Sequence, residues 1–105
     1  MSTQVLPISA DKRFPRHIYD LDGRRYRFDY RYSQRADCWY FDLYDAQDVE
    51  LVRGVKIVLG VPLLRKVASV DKPPGSLVAI DTSSTGTEPG LNDLGSRVLL
   101  TYTEA

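Results

Sequence analysis

The stretch Cys38-Trp39-Tyr40-Phe41-Asp42-Leu43-Tyr44-Asp45 holds the only tryptophan of the chain and two of its seven tyrosines. Trp39, Phe41 and Leu43 fall on one side of an extended chain; Tyr40, Asp42 and Tyr44 fall on the other. A period of two is the signature of a strand with one buried face. The apolar set is therefore expected to anchor a core. The other set, two tyrosines around a carboxylate, suits a protein–protein contact or the second buried face of a sandwich.

Working upstream, Arg24 to Tyr32 reads Arg-Arg-Tyr-Arg-Phe-Asp-Tyr-Arg-Tyr. Tyr26, Phe28, Tyr30 and Tyr32 share one face, and Arg25, Arg27, Asp29 and Arg31 share the other, which predicts another strand. Asp22-Gly23 just before it predicts a tight hairpin from a strand over His17–Leu21, because both residues accept positive φ. Ser33–Asp37 reads as a polar turn. Downstream, Ala46-Gln47-Asp48 turns the chain into a strand over Glu50–Leu59, where Gly54 marks a bulge or a close backbone approach. Together these segments form an N-terminal antiparallel meander.

Gly60 to Lys66 is apolar without alternation. Pro62 suits the first turn of a short helix, and a buried crossing loop fits equally. Lys72-Pro73-Pro74-Gly75 is a strong turn signal. Ser76–Asp81 reads as a short strand and Thr82–Gly95 as a long polar loop. Arg97–Thr103 closes the chain as a strand with Val98, Leu100 and Tyr102 on one face. Residues 1–16 carry Val5, Leu6 and Ile8 around Pro7, which predicts an edge strand or an extended arm. The expectation is an all-β fold: a small antiparallel β-barrel or β-sandwich of six to seven strands. Residues 1–16 form the arm or edge strand and 17–105 a single β domain. Expected core residues are Tyr26, Phe28, Tyr30, Trp39, Phe41, Leu43, Val55, Ile57, Val78, Ile80, Val98 and Leu100.

A chain of 105 residues has room for one core. Its formal net charge is zero, so no global field points to nucleic acid or an acidic membrane. Up to Asp37 there are eight Lys/Arg against five Asp/Glu; from Ser76 onward there is Arg97 alone against four acids. A basic front and an acidic back suit pairing with neighbours or with copies of the chain. The single cysteine, Cys38, excludes an internal disulfide and a cysteine-rich metal site. The first residues resemble neither a signal peptide nor a membrane segment, so a cytosolic origin is expected.

The usual catalytic constellations are not recognisable. His17, the only histidine, follows Pro15-Arg16 with no nucleophile motif nearby. Asp42 and Asp45 lie an odd number of positions apart and diverge on a strand, a poor arrangement for sharing a proton. Asp45 and Asp48 suit a turn. Asp81, Glu88 and Asp93 do not match a calcium-loop spacing. No catalytic residue, cofactor or metal is expected. The arginine-rich face of residues 24–32 offers an alternative, a small β-barrel that binds nucleic acid. Its alternation separates the arginines from the aromatics that would have to stack on bases.

Three groups of residues stand in a recognisable order. The first is Trp39-Tyr40-Phe41-Asp42-Leu43-Tyr44-Asp45. The second runs from Leu51-Val52-Arg53-Gly54 to Gly60-Val61-Pro62-Leu63-Leu64. The third runs from Pro74-Gly75-Ser76-Leu77 through Asp81 and Pro89-Gly90 to Asp93-Leu94-Gly95 and Arg97-Val98-Leu99-Leu100. Together they resemble the baseplate plug family of contractile-tailed phages, over about residues 17–103. Phe41 is an extra residue in that family's Trp-Tyr-Asp-Leu strand. The resemblance implies a structural virion protein without catalysis, at the central hub and the start of the tail tube, as plug or tube initiator. It implies assembly in the host cytoplasm, a final location in the tail baseplate, and hub, baseplate or tube proteins as partners. No membrane or nucleic-acid partner is expected. A homo-oligomer or ring with head-to-tail contacts would need two different patches. The candidate interface is a basic patch (Arg25, Arg27, Arg31, Arg35), an acidic one (Asp81, Glu88, Asp93), and the outward set Tyr40, Asp42 and Tyr44.

Overall fold

The computed structural model describes residues 3–8, 15–65, 67, 71–83, 86, 88–90 and 93–104. Lys66 of the Gly60–Lys66 segment lies outside the described residues, as do 9–14 of the expected arm and 84, 85, 87, 91 and 92 of the long loop. Seven strands follow in order: β1 (Thr3–Leu6), β2 (Arg16–Leu21), β3 (Arg24–Ser33), β4 (Cys38–Tyr44), β5 (Glu50–Lys56), β6 (Ser76–Asp81) and β7 (Val98–Thr103). They form two antiparallel sheets, one ordered β1-β7-β6 and the other β2-β3-β4-β5. The sheets do not close on each other, so the architecture is sandwich-like rather than a barrel.

Local chemistry sets the meander. Asp22 and Gly23 both have positive φ, 51° and 79°, the geometry of a two-residue hairpin whose twist matches its strands. That turn places Leu21 opposite Arg24 and Arg16 opposite Asp29. At the β4–β5 turn, Asp45 Oδ1 accepts from the N–H groups of Gln47 and Val49 (both 2.9 Å), while Asp48 takes a φ of 62°. The short aspartate side chain here substitutes for a backbone acceptor.

Trp39, Phe41 and Leu43 are completely buried, as are Phe28 and Leu21, and Tyr26 and Tyr30 nearly so. Phe28 sits with its ring centre 5.2 Å from those of Tyr19 and Phe41. Removing each such aromatic from water is worth about 2–3 kcal/mol. Tyr19 Oη donates to the Pro7 carbonyl (2.7 Å) and lies 3.1 Å from Tyr30 Oη. Burial pushes the Tyr19 phenol up to about 12 and raises that of Tyr30 well above its ordinary value. Both are therefore neutral hydrogen-bonding groups at physiological pH.

Alternation misassigns one strand. Val78 and Ile80 were expected inside, yet Leu77 and Ala79 are completely buried while Ile80 is 44% exposed and Val78 half-buried. Leu77, Val78, Ala79 and Ile80 are all apolar, so the pattern along β6 cannot choose a face. A one-residue shift reverses every side chain. Pairing with β7 decides it: Leu77 lies opposite Tyr102 and Ala79 opposite Leu100. Val55 is also only half-buried, because β5 is the outermost strand of its sheet. β5 ends at Lys56 rather than at Leu59, which instead bridges to Ala79.

The Gly60–Lys66 ambiguity resolves as a crossing loop over its described part. Gly60 N–H donates to the Ala79 carbonyl (2.9 Å) and Leu63 N–H to that of Leu77 (2.8 Å). The segment thereby covers the outer edge of β6 and buries Leu63 and Leu64.

Tyr102 holds the two sheets together. Its hydroxyl donates to Asp22 Oδ2 in the β2–β3 hairpin (2.5 Å) and accepts from Gly75 N–H (2.7 Å). A Cβ on Gly75 would stand 2.1 Å from the Thr103 carbonyl oxygen and 2.7 Å from the Tyr102 ring. Gly75→Ala is therefore expected to destabilise by at least ~2 kcal/mol through forced overpacking. Tyr102→Phe should cost about 1–3 kcal/mol through unpaired polar groups. Urea denaturation of the two variants measures both.

Candidate protein-interaction site

The outward face of the four-stranded sheet is assembled by strand register. Ile18, Arg27 and Tyr44 form one row across β2, β3 and β4; Arg16, Asp29 and Asp42 form the next; Arg31, Tyr40 and Lys56 form a third across β3, β4 and β5. Of the ten candidate interface residues, Arg25, Arg27, Arg31, Tyr40, Asp42 and Tyr44 lie on this face. Arg35 is exposed in the turn between β3 and β4.

Register puts Asp29 directly opposite Asp42, an unfavourable placement for two like charges. Arginines separate and neutralise them. Arg16 Nε donates to Asp29 Oδ1 (2.9 Å). Arg27 donates to Asp48 Oδ1 (2.7 Å) and lies 3.2 Å from Asp29 Oδ1. Arg31 donates to Asp42 Oδ1 (3.0 Å). The guanidinium carbon of Arg27 stands 3.9 Å from the Tyr44 ring centre and that of Arg31 5.9 Å from that of Tyr40. Cation–π contact and ion pairing thus hold both arginines against the sheet.

Asp42 answers the question left by its outward position. Its carboxylate is buried beneath Arg31 rather than presented to solvent, and the same Oδ1 accepts from Gly54 N–H (2.8 Å). Gly54 has a φ of 73°, and the β4–β5 register shifts on either side of Leu43. This is the bulge that the glycine marked, and Asp42 pairs the N–H that it frees.

The acidic set gathers elsewhere, around Arg97. That guanidinium lies 3.1 Å from Asp81 and 3.2 Å from Asp93, and donates to the Glu88 carbonyl (3.3 Å). Glu88 Oε1 accepts from Leu59 N–H (3.0 Å). The loop is further tied to the central strand, since Trp39 Nε1 donates to the Gly90 carbonyl (2.8 Å). The hydrogen bond from Arg97, and then that from Gly90 N–H, hold the Asp93 carboxyl below its ordinary range.

Several members of these networks carry no signal in the linear sequence. Asp29 is on the outer face by alternation, but Arg16 and Asp48 join it only through register and turn, and Arg97 joins the acids only through the fold. The register of the first hairpin follows from Asp22-Gly23, so the Arg16–Asp29 pair was within reach of the sequence. Among the described residues no group of three or more His, Cys, Asp and Glu is arranged to hold a metal ion. The nucleic-acid alternative is not favoured: the arginines are committed to aspartates, and the aromatics of β3 face inward.

The chain is thus a two-sheet β domain whose outer face carries a lattice of paired charges over tyrosines. The chain matches the family model for the cyanophage baseplate Pam3 plug gp18 over residues 3–105. It belongs to this family of phage baseplate plug proteins, structural components of the virion tail that contact other baseplate proteins. No curated protein matches it.

Two expectations follow from the geometry. Asp42→Ala should cost about 1 kcal/mol, since it removes the acceptor of both the Gly54 N–H and the Arg31 guanidinium, and hydrogen exchange should accelerate at Gly54 in particular. For Asp93, the lowered pKa makes its contribution to stability complete above the ordinary carboxylate range. That contribution disappears as pH falls through the depressed value. Asp93→Asn should therefore flatten the acid limb of a stability–pH profile below about pH 4, measured by urea midpoints.

Proposed function

We propose that this chain is a non-catalytic subunit at the junction of baseplate hub and tail tube, acting as plug or tube initiator. Copies pack head to tail in a ring, the arginine-bearing sheet face of one meeting the acidic loop of the next. A closed ring needs two different, complementary patches. The outer-face lattice is the observation that carries this reading. Its arginines are held in place before any partner arrives, so little side-chain freedom is lost on docking. The Asp81–Glu88–Asp93 cluster, with one arginine among three acids, supplies the opposite sign. Complementary potentials of this kind set partner choice and orientation more than raw affinity.

Arg25 and Arg35 test the reading without disturbing the lattice. Arg25 makes one loose, exposed contact with Asp20 (3.5 Å), and Arg35 is exposed. The double variant Arg25→Glu, Arg35→Glu should retain its melting temperature within a few degrees and fail to enter tail particles in a complementation assay. Particles of normal yield and composition from that variant would contradict the proposal.

A further inference from the structure

We infer that the free edge of β5 and the groove beside it receive an extended, acidic segment of a different baseplate protein, added to the sheet as a fifth strand. This rests on membership of the baseplate family and not on the ring proposed above.

Among the described residues, the β6 edge is covered and the β1 and β2 edges face each other. The crossing loop covers β6 through the Gly60 and Leu63 N–H groups. The outer sides of β1 and β2 are stitched together by the Gln4 side chain on the Asp20 carbonyl (3.2 Å) and by Tyr19 on the Pro7 carbonyl. β5 is outermost in its sheet, and among the described residues no other backbone pairs with its far side. An open edge of this kind is a template for another strand.

The groove alongside has a volume of about 540 Å³, within the range of roughly 300–1,000 Å³ typical of binding clefts. It is lined by the continuous run Val52–Lys56 and by residues of the segment that follows, among them Val58, Val61, Leu63, Arg65 and Val67. Val55, Val58, Val61, Leu63 and Val67 supply an apolar lining. Arg53, Lys56 and Arg65 supply the charge, and among the described residues no acidic one lines it. Arg53 is held by Glu50 (2.9 Å). Lys56 and Arg65 have no ion-pair partner among the described residues.

Charge selects the occupant. A second copy offering its own β5 edge in antiparallel register would set Arg53 against its own copy, a repulsive contact, with Lys56 opposite Glu50. The other strand edges of this chain offer no acidic run: β1 reads Thr-Gln-Val-Leu, and β2 carries one arginine with its aspartate. The cations of the groove therefore favour a strand from elsewhere in which acids alternate with apolar residues.

The test is a peptide titration of the isotope-labelled full chain followed by amide chemical shifts. The probe is a capped peptide of alternating valine and glutamate with the length of β5, 7 residues; its control has lysine for glutamate. The acidic peptide should move the amides of β5 and of Val58–Val67 saturably, and the control should bind at least about tenfold more weakly, a difference of 1.4 kcal/mol. Lys56→Glu with Arg65→Glu, both exposed, should reverse that preference with the fold intact by the rest of the spectrum. No saturable shift, equal binding of both peptides, or shifts confined to β1 and β2 would overturn the inference. Concentration-dependent shifts of the β5 amides in the protein alone would assign the edge to a second copy and overturn it as well.

Discussion

One carboxylate oxygen, Oδ1 of Asp42, ties three strands together. It accepts from Arg31 on β3 and from Gly54 on β5, and it does so from the middle of β4. Asp42 is one of only two buried polar or charged residues among those described. A buried carboxylate is costly unless its lone pairs are used. Here the two bonds serve different ends: one fixes an arginine on the outer face, the other satisfies a bulge. The bulge falls in β5, the strand that lines the groove. The interaction surface and the open edge thus depend on the same atom.

The rigidity of the domain comes from how its two sheets are joined. No helix covers the core among the described residues. The sheets meet through buried aromatics and through side-chain bonds that cross between them: Tyr102 to Asp22, Gln4 to the Asp20 backbone, Trp39 to Gly90. Each crossing bond links an element to a turn or strand far away in sequence. Such bonds add directional constraints to a hydrophobic core that is itself non-directional. For a structural protein of a virion tail, whose surfaces must meet several neighbours at once, a fixed geometry lowers the entropic cost of each contact.

Charge is used in two ways. On the outer face and around Arg97, opposite charges are paired within the chain, with acids outnumbering the one arginine in the second place. Beside β5, Lys56 and Arg65 have no ion-pair partner among the described residues. In the assembly proposed above, the paired lattice would set orientation and the two free cations would attract an acidic partner. The zero net charge of the whole chain conceals this division of labour.

The strand alternation, the Asp22-Gly23 hairpin, the bulge at Gly54 and the anchoring role of Trp39, Phe41 and Leu43 were legible in the sequence. All are local: period, turn chemistry and a residue type that tolerates positive φ. The sequence also grouped Arg25, Arg27 and Arg31 with Tyr40, Asp42 and Tyr44 as surface candidates. It did not determine that Asp42 would be buried under Arg31, that Arg97 would sit among the acids, or which face of β6 would turn inward. It left open whether Gly60–Lys66 was a helix or a crossing loop. Those outcomes depend on which strand lies beside which, and pairing partners far apart in sequence leave no mark in the period of either one. Local physics wrote the strands; only the tertiary register decided which charges meet, which edge stays open and which side of a uniformly apolar strand becomes core.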